Sequence, residues 1–320
     1  MGKTTKIWLV TAAFLVLAGC VLWAGVMAVY QWDFTELSTD QYETKIYEIS
    51  EDFYGISMDT DTADITFVLS EDAKCRVVCS EQKNVTHSVE VKEGTLVIKT
   101  VDSRKWYEHI GIHWGSPKIT VHLPKEEYAS LFVRENTGDI DIPSSFQFES
   151  VDLSLSTGHV RISASASDAM KIKTNTGSIR VENAYAGALD LSVSTGNITV
   201  SNVICHGDAS IHVSTGKSNL TDLQCKNLTS DGDTGDISLS NVIAAEKFSI
   251  RRDTGDVKFH HCDAADIFVI TDTGDVTGTF LSAKRFFVET DTGHVHVPKS
   301  NTGGRCEVKT DTGDIRLDIA

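Results

Sequence analysis

Proline is scarce in this chain, with 4 in 320 residues, and the Glu/Lys/Ala/Leu blocks of long soluble helices are few. The 7 cysteines, at 20, 75, 79, 205, 225, 262 and 306, form no Cys-x-x-Cys pair and no zinc-ribbon spacing, which leaves out the common thiol-based metal and redox motifs. No basic stripe is present either. With 29 Lys and Arg against 45 Asp and Glu, the formal net charge is −16, so nothing displaces phosphate counterions and nucleic acid is excluded as a partner. Cations or basic surfaces are the expected partners. What the chain does have is 23 glycines among many Thr, Ser, Val and Ile. That composition reads as mostly β, in a chain long enough to fold without disulfides or metals.

One segment departs from it. Residues Ile7 to Tyr30 carry no charge over 24 positions, enough for a helix to cross a bilayer. Lys3 and Lys6 precede this stretch, and Asp33, Glu36 and Asp40 follow it. The positive-inside rule then puts residues 1–6 in the cytoplasm, a single-pass membrane helix at 7–30, a linker at 31–40 and the bulk outside. Leu17-Ala18-Gly19-Cys20 resembles a lipoprotein signal in which Cys20 would be lipidated. The apolar run continues through Val29, however, and favours an uncleaved helix. The remainder is tethered outside the membrane in either case.

The dominant signal is a repeat. A Thr-Gly pair recurs with glycine at Gly138, Gly158, Gly177, Gly196, Gly216, Gly235, Gly255, Gly274, Gly293 and Gly313, in steps of 19 or 20 residues. That period is too short for a helical hairpin and suits one coil of a parallel β-solenoid. Seven and five positions before the glycine stand apolar pairs such as Val151/Leu153, Leu189/Leu191 and Phe286/Val288. Two and four after it stand pairs such as Ile140/Ile142, Ile198/Val200 and Val295/Val297, so each coil contains two strands of period 2. A third apolar point, about seven after the glycine, is formed by Val203, Leu223, Val242, Cys262 and Leu281. Glycine at the corner allows a positive φ, and the preceding threonines stack into a possible hydroxyl ladder at strand spacing. Ser218, Ser230, Gly232 and Arg252 fall on inward positions and predict irregular rungs. Ser-Asn-Val-Ile recurs at 201 and 240.

The expected fold is therefore all-β, a parallel β-solenoid or β-helix of about ten coils over residues 131–320. A β-rich lead at 41–130 caps and begins it, and one transmembrane helix precedes it. In that lead Asp61-Thr62-Ala63-Asp64-Ile65 echoes the repeat with alanine for glycine. Asn301-Thr302-Gly303-Gly304 is expected at the opposite turn of its coil. Asp102 to Pro117 reads as a long loop.

The membrane helix, the lead ending in Ile119-Thr120-Val121-His122-Leu123-Pro124 and repeats such as Thr310 to Ile315 together resemble the bacterial putative-adhesin family of β-strand-repeat domains of unknown function. The likeness covers nearly all of 41–320. It implies surface binding at the cell envelope. Some similar proteins sit beside envelope-stress signalling genes, and the family has no established catalytic residues to carry over.

Asp-Thr-Gly recurs five times, but aspartic-protease chemistry needs two carboxylates facing each other, and equivalent copies in one column do not face. The same column creates an acidic ridge of Asp233, Asp236, Asp253, Asp256, Asp272, Asp275, Asp291, Asp311 and Asp314. Stacked carboxylates repel by roughly 1 kcal/mol per pair even in water, so a weak Ca²⁺-type ridge is the one metal site considered. The competing reading is a solvated edge in which each carboxylate bonds backbone, and no other cofactor is expected. His109 and His113 lie among Trp106, Tyr107 and Trp114 in the long loop, read as a contact loop rather than a zinc site because Gly111 and Pro117 oppose a helix. Cys205 and Cys225 should stack as small buried residues. No convergent acid, base and Arg/Lys cluster is visible. The expected function is an adhesin-like binding or scaffold protein at the envelope, holding a wall polymer or an envelope protein, and not an enzyme. An envelope-stress sensing accessory is the alternative, and a β-helix polysaccharide-processing enzyme the lesser one.

Overall fold

The computed structural model describes residues 2–29, 42–105 and 117–320. The expected linker and the histidine-aromatic cluster of the long loop lie outside the described residues. The chain divides into two compact units. The first contains the helix Lys3–Val29, within which Thr5–Val29 is long and apolar enough to cross a membrane.

The second unit is a parallel β-solenoid. Each coil runs from a long strand, through the Thr-Gly corner, into a second strand. Gln147–Thr157, for example, is followed by Val160–Ile162. Successive coils pair in parallel with equivalent residues opposite one another, as in Val151↔Leu131, Leu153↔Val133 and Thr157↔Thr137. Inward positions are almost completely closed to solvent: Leu153, Ile172, Leu191, Ile198, Leu239 and Val269 are each 0 % exposed. Burial of one such side chain stabilises by about 1.5–3 kcal/mol, and every internal coil contributes several.

The glycines form one column, each with φ between 127° and 159°. A Cβ on any of them would lie within 2.3 Å of a carbonyl oxygen of the neighbouring coil. Ala63 belongs to the same column, directly beside Gly138. The lead therefore supplies two coils of its own. One is Gly55–Thr62 with Asp64–Leu69, and the other is Thr95–Asp102 with Lys118–Leu123. The boundary placed near residue 130 falls inside the strand Glu127–Thr137 of the Gly138 coil.

Stacking order departs from chain order at both ends. The Gly55–Thr62 strand lies between Thr95–Asp102 and Glu127–Thr137. At the other end Gly304–Thr312 lies between Asp266–Thr273 and Lys284–Thr292, so the Gly313 coil is inserted beneath the Gly293 coil. Gly303 and Gly304 make this insertion possible by passing within contact of the Ala283 and Ala265 carbonyls.

Three expectations are corrected. Leu281 is 49 % exposed, and Phe280 takes the inward position instead, because the pairing shifts register between Phe259 and Cys262 and places Phe280 opposite Cys262. The threonines beside the glycines face solvent. The hydroxyls that bond the corner sit three residues before the glycine, where Thr174, Thr271, Thr290 and Thr310 donate to glycine carbonyls of neighbouring coils.

The rungs around Gly235 are also regular: Ala209 through Thr215 pair continuously with Leu228 through Thr234. The four polar departures form one buried device. Arg252, 2 % exposed, donates from Nη1 to the Arg251 carbonyl (2.8 Å). Its Nη2 donates to Ser230 Oγ (2.9 Å) and Ser218 Oγ (3.4 Å). Gly232 leaves the room, since a Cβ there would stand 2.8 Å from Nη1. Burial pulls the guanidinium down to about 10, which leaves it charged at neutral pH.

A second corner explains the repeated Ser-Asn-Val-Ile. Six residues after their glycines, Asn183, Asn202, Asp222, Asn241 and His261 all have φ near +53°. Asn and Asp tolerate this left-handed conformation better than other L-residues. Adjacent coils link here, with Asn202 Nδ2 donating to Asn183 Oδ1 (2.8 Å) and Asn241 Nδ2 to Asp222 Oδ1 (3.0 Å).

Candidate functional site

The Thr-Gly corner brings the ridge aspartates together in two rows. Asp233, Asp253, Asp272, Asp291 and Asp311, before the Thr-Gly pair, are exposed. Asp236, Asp256, Asp275 and Asp314, after it, are half-buried and bonded to backbone. The Asp256 N–H donates to Asp236 Oδ1 (3.2 Å), Asp275 N–H to Asp256 (3.0 Å), Asp314 N–H to Asp275 (2.8 Å) and His294 N–H to Asp314 (2.8 Å). Lys217 and Lys258 stand 3.0 Å from Asp236 and Asp256. Lys217 and the Asp256 N–H together hold Asp236 below the usual carboxylate range.

Asn197 serves the same column, accepting from Lys217 N–H at 2.9 Å, so the column needs an oxygen and not a charge. Asp275→Ala is therefore expected to lower stability by about 1–2 kcal/mol, because it orphans the Asp314 N–H. Asp275→Asn should stay within about 0.5 kcal/mol of the parent. Urea unfolding of the two variants checks this, and equal losses would contradict it.

Among the described residues a second cluster lies at the N-terminal end of the solenoid, where Cys79, Glu81 and His87 place ligand-type atoms within 4.8 Å of one another. The Glu81 carboxylate is already engaged. It accepts from Tyr47 Oη (2.8 Å) and from the His87 N–H (2.7 Å), and it pairs with Lys45 Nζ (2.7 Å). Burial raises its affinity for a proton, but these partners outweigh burial and hold it ionised, below its usual value. Burial pushes the Cys79 thiol up to about 12. The cluster is a satisfied ion-pair network that closes this end. Cys205 and Cys225 follow the paired residues Ile204 and Gln224 on adjacent rungs as buried free thiols.

The feature with the shape of a binding site is a groove of about 650 Å³ along the corner where the long strands begin. Its floor tapers. Phe53 stacks on Tyr128 (centroids 5.6 Å), Tyr128 meets Phe148 (6.3 Å), and the next two rungs carry only Ala166 and Ala186. Loss of side-chain volume along one column opens the depression. β-Bulges after Phe148 and Ala166 turn the strands at this corner. Tyr54 and Tyr185 stand at either end of the groove, 61 % and 58 % exposed. Four rungs separate them, roughly 19 Å at strand spacing. Gln147, Glu149, Ser165, Ser167 and His206 supply polar groups between and beside the rings. Sequence reasoning missed this groove. Its trace was the run of small residues from Ser163 to Ser167 and the outward Tyr185 among alanines.

The coils thus form an all-β parallel solenoid repeat in which one corner carries an open, aromatic-flanked groove. The chain belongs to the Toastrack DUF4097 family, whose model matches residues 53–212 and 203–320. No curated protein matches the chain. Among solved structures it is similar to a "putative adhesin" from Parabacteroides merdae at 14 % identity, covering 88 % of this chain and 97 % of that one, with a TM-score of 0.49. It is similar to a "putative lipid binding protein" from Parabacteroides distasonis at 14 % identity, covering 86 % and 96 %, with a TM-score of 0.46. A "putative adhesin" from Bacteroides fragilis shares 15 % identity over 89 % and 99 %, with a TM-score of 0.35.

Proposed function

We propose that this chain is a membrane-anchored, extracytoplasmic, non-catalytic binding protein that holds an extended saccharide polymer of the cell envelope in the corner groove. The observation that carries the reading is the pair of exposed tyrosines, Tyr54 and Tyr185, at the two ends of one groove. Aromatic faces stack on the apolar faces of sugar rings, while hydroxyl, amide and carboxylate groups between them bond sugar hydroxyls. A groove built on paired strands needs little ordering to bind. The lysines before the apolar helix and the acids after it support a cytoplasmic N-terminus with the solenoid outside. A non-catalytic role is supported by the placement of Glu135, whose carboxyl burial pushes up to about 8 and which lines the solenoid interior rather than the groove.

The test is retention of the full-length protein, in detergent, on purified cell-wall polysaccharide. Tyr185→Ala and Tyr54→Ala should each weaken binding about tenfold, the loss of one ring contact of 1–1.5 kcal/mol. Binding unchanged in the double variant would remove the groove from the function.

A further inference from the structure

The two ends of the solenoid are finished differently. At the N-terminal end the strand Cys75–Gln82 runs antiparallel to Lys118–Leu123, and Tyr42–Ile49 pairs with it in turn. Tyr47, Ile49, Val89 and Val91 pack onto the core there. At the C-terminal end the outermost strand, Lys284–Thr292, pairs with Gly304–Thr312 on one side. Among the described residues no strand pairs its other side. The inward side chains of this outermost coil are correspondingly uncovered. Phe286, Val288 and Val297 are only half-buried and Val295 is 45 % exposed, whereas Cys306, Val308, Ile315 and Leu317, one coil inward, are at most 1 % exposed. A bare edge over an unfinished apolar core is what solenoids ordinarily cap and what other strands add to.

We propose that this end is a self-association surface, where the edge strand Lys284–Thr292 pairs antiparallel with its counterpart in a second copy. The charge order along the strand selects that occupant. Arg285 lies near its start, and Glu289 and Asp291 lie near its end. Antiparallel pairing about Val288 sets Arg285 of each copy opposite Asp291 of the other, Phe286 opposite Thr290, and Val288 opposite itself. Parallel addition in register would instead oppose Arg285 to Arg285 and Asp291 to Asp291, and so forms no opposite-charge pair. The remaining basic residue is not free for other pairing: Lys284 is 2 % exposed and its ammonium is held by Asp263 (2.6 Å) and the Ala264 carbonyl (2.7 Å). The two-fold arrangement is isologous and closes after two copies, so a bare edge gives a dimer and not a fibre. It also joins the inward residues Phe286 and Val288 of both copies into one continuous core. With a formal net charge of −16, two copies repel at long range, and local complementarity at the edge is what overcomes this.

The experiment is sedimentation of the full-length protein in detergent, with thermal melts to confirm that every variant is folded. The parent should be a concentration-dependent dimer. Arg285→Asp and Asp291→Arg should each weaken the dimer at least about tenfold. The double exchange Arg285→Asp/Asp291→Arg should restore it, since only antiparallel self-pairing reunites the swapped charges. That arm assigns the dimer to this edge, because the apolar helix can also self-associate. Val288→Cys should cross-link to itself on oxidation in membranes. A parent that stays monomeric, a dimer indifferent to both single reversals, or a double exchange that stays as weak as the singles would each overturn the proposal. So would a folded Val288→Cys variant that fails to cross-link.

Discussion

Replacing Gly196 with alanine is expected to cost at least about 4 kcal/mol and to unfold the centre of the solenoid. Gly196 has φ 142°, where an L side chain is strained, and its missing Cβ would stand 1.6 Å from the Gly177 carbonyl oxygen. Neither coil can yield easily. The Gly177 N–H donates to Thr195 O (3.0 Å) and the Gly196 N–H to Thr215 O (2.9 Å), so a shift at one rung breaks backbone bonds on both sides. Alanine at the exposed Ser194, close by in sequence, is the matched control and should stay within about 0.5 kcal/mol. Denaturant unfolding followed by circular dichroism compares them, and a Gly196→Ala loss below about 1 kcal/mol would mean that the corner is softer than its geometry implies.

The stability of the protein should also fall as pH rises from about 4.5 to 8, and Glu135 is the residue expected to cause it. Glu135 sits three residues before Gly138, on the inward column that carries Leu155, Val193 and Val213 in later coils. Its carboxyl accepts the Ala63 N–H (3.1 Å) and the Thr60 hydroxyl. Burial pushes it up to about 8 from an ordinary 4.5, and Asp61 and Asp64 add to the rise. Below 4.5 the folded and unfolded chains both keep the proton, and this contribution is complete. Between 4.5 and 8 the unfolded chain releases the proton while the folded chain retains it, so stability declines until both are ionised. The full decline is on the order of 5 kcal/mol. Glu135→Gln keeps the shape and the acceptor without the ionisation, so its stability should be nearly flat across this window and should exceed that of the parent at pH 9. Urea midpoints at pH 4, 6 and 9 decide the matter. Parallel slopes for parent and variant would assign the pH dependence elsewhere.

The parts of this fold legible in advance are those written once per coil. The ten corner glycines, the two apolar pairs flanking most of them and the period of 19–20 residues are local requirements. A corner that needs positive φ selects glycine, and a strand that buries one face selects alternating apolar residues. Repetition made those weak local signals unmistakable, and Ala63 could be read as a worn copy of the same corner. The apolar segment after Lys6 was equally plain, because crossing a bilayer is a requirement of length and composition.

Features that join different coils were hidden. Arg252, Ser218, Ser230 and Gly232 read as four separate flaws along the chain, and only stacking shows that one guanidinium uses all three partners. The groove is a difference in side-chain volume between Tyr128, Phe148, Ala166 and Ala186, which share a column but are some 20 residues apart in sequence. The bonds from the ridge aspartates to the next coil's N–H groups depend on the geometry of the corner, which no single coil displays. Coil order at the ends is the clearest case. Every coil presents nearly the same backbone edge and the same inward pattern, so pairing the Gly313 coil with the Gly274 coil satisfies the repeat as well as chain order would. The sequence by itself determined what a coil is, because that follows from local sterics and hydrophobic period. Which coil lies on which, and what surface results, was decided only when the coils packed, because near-identical strands leave their neighbours to long-range contacts.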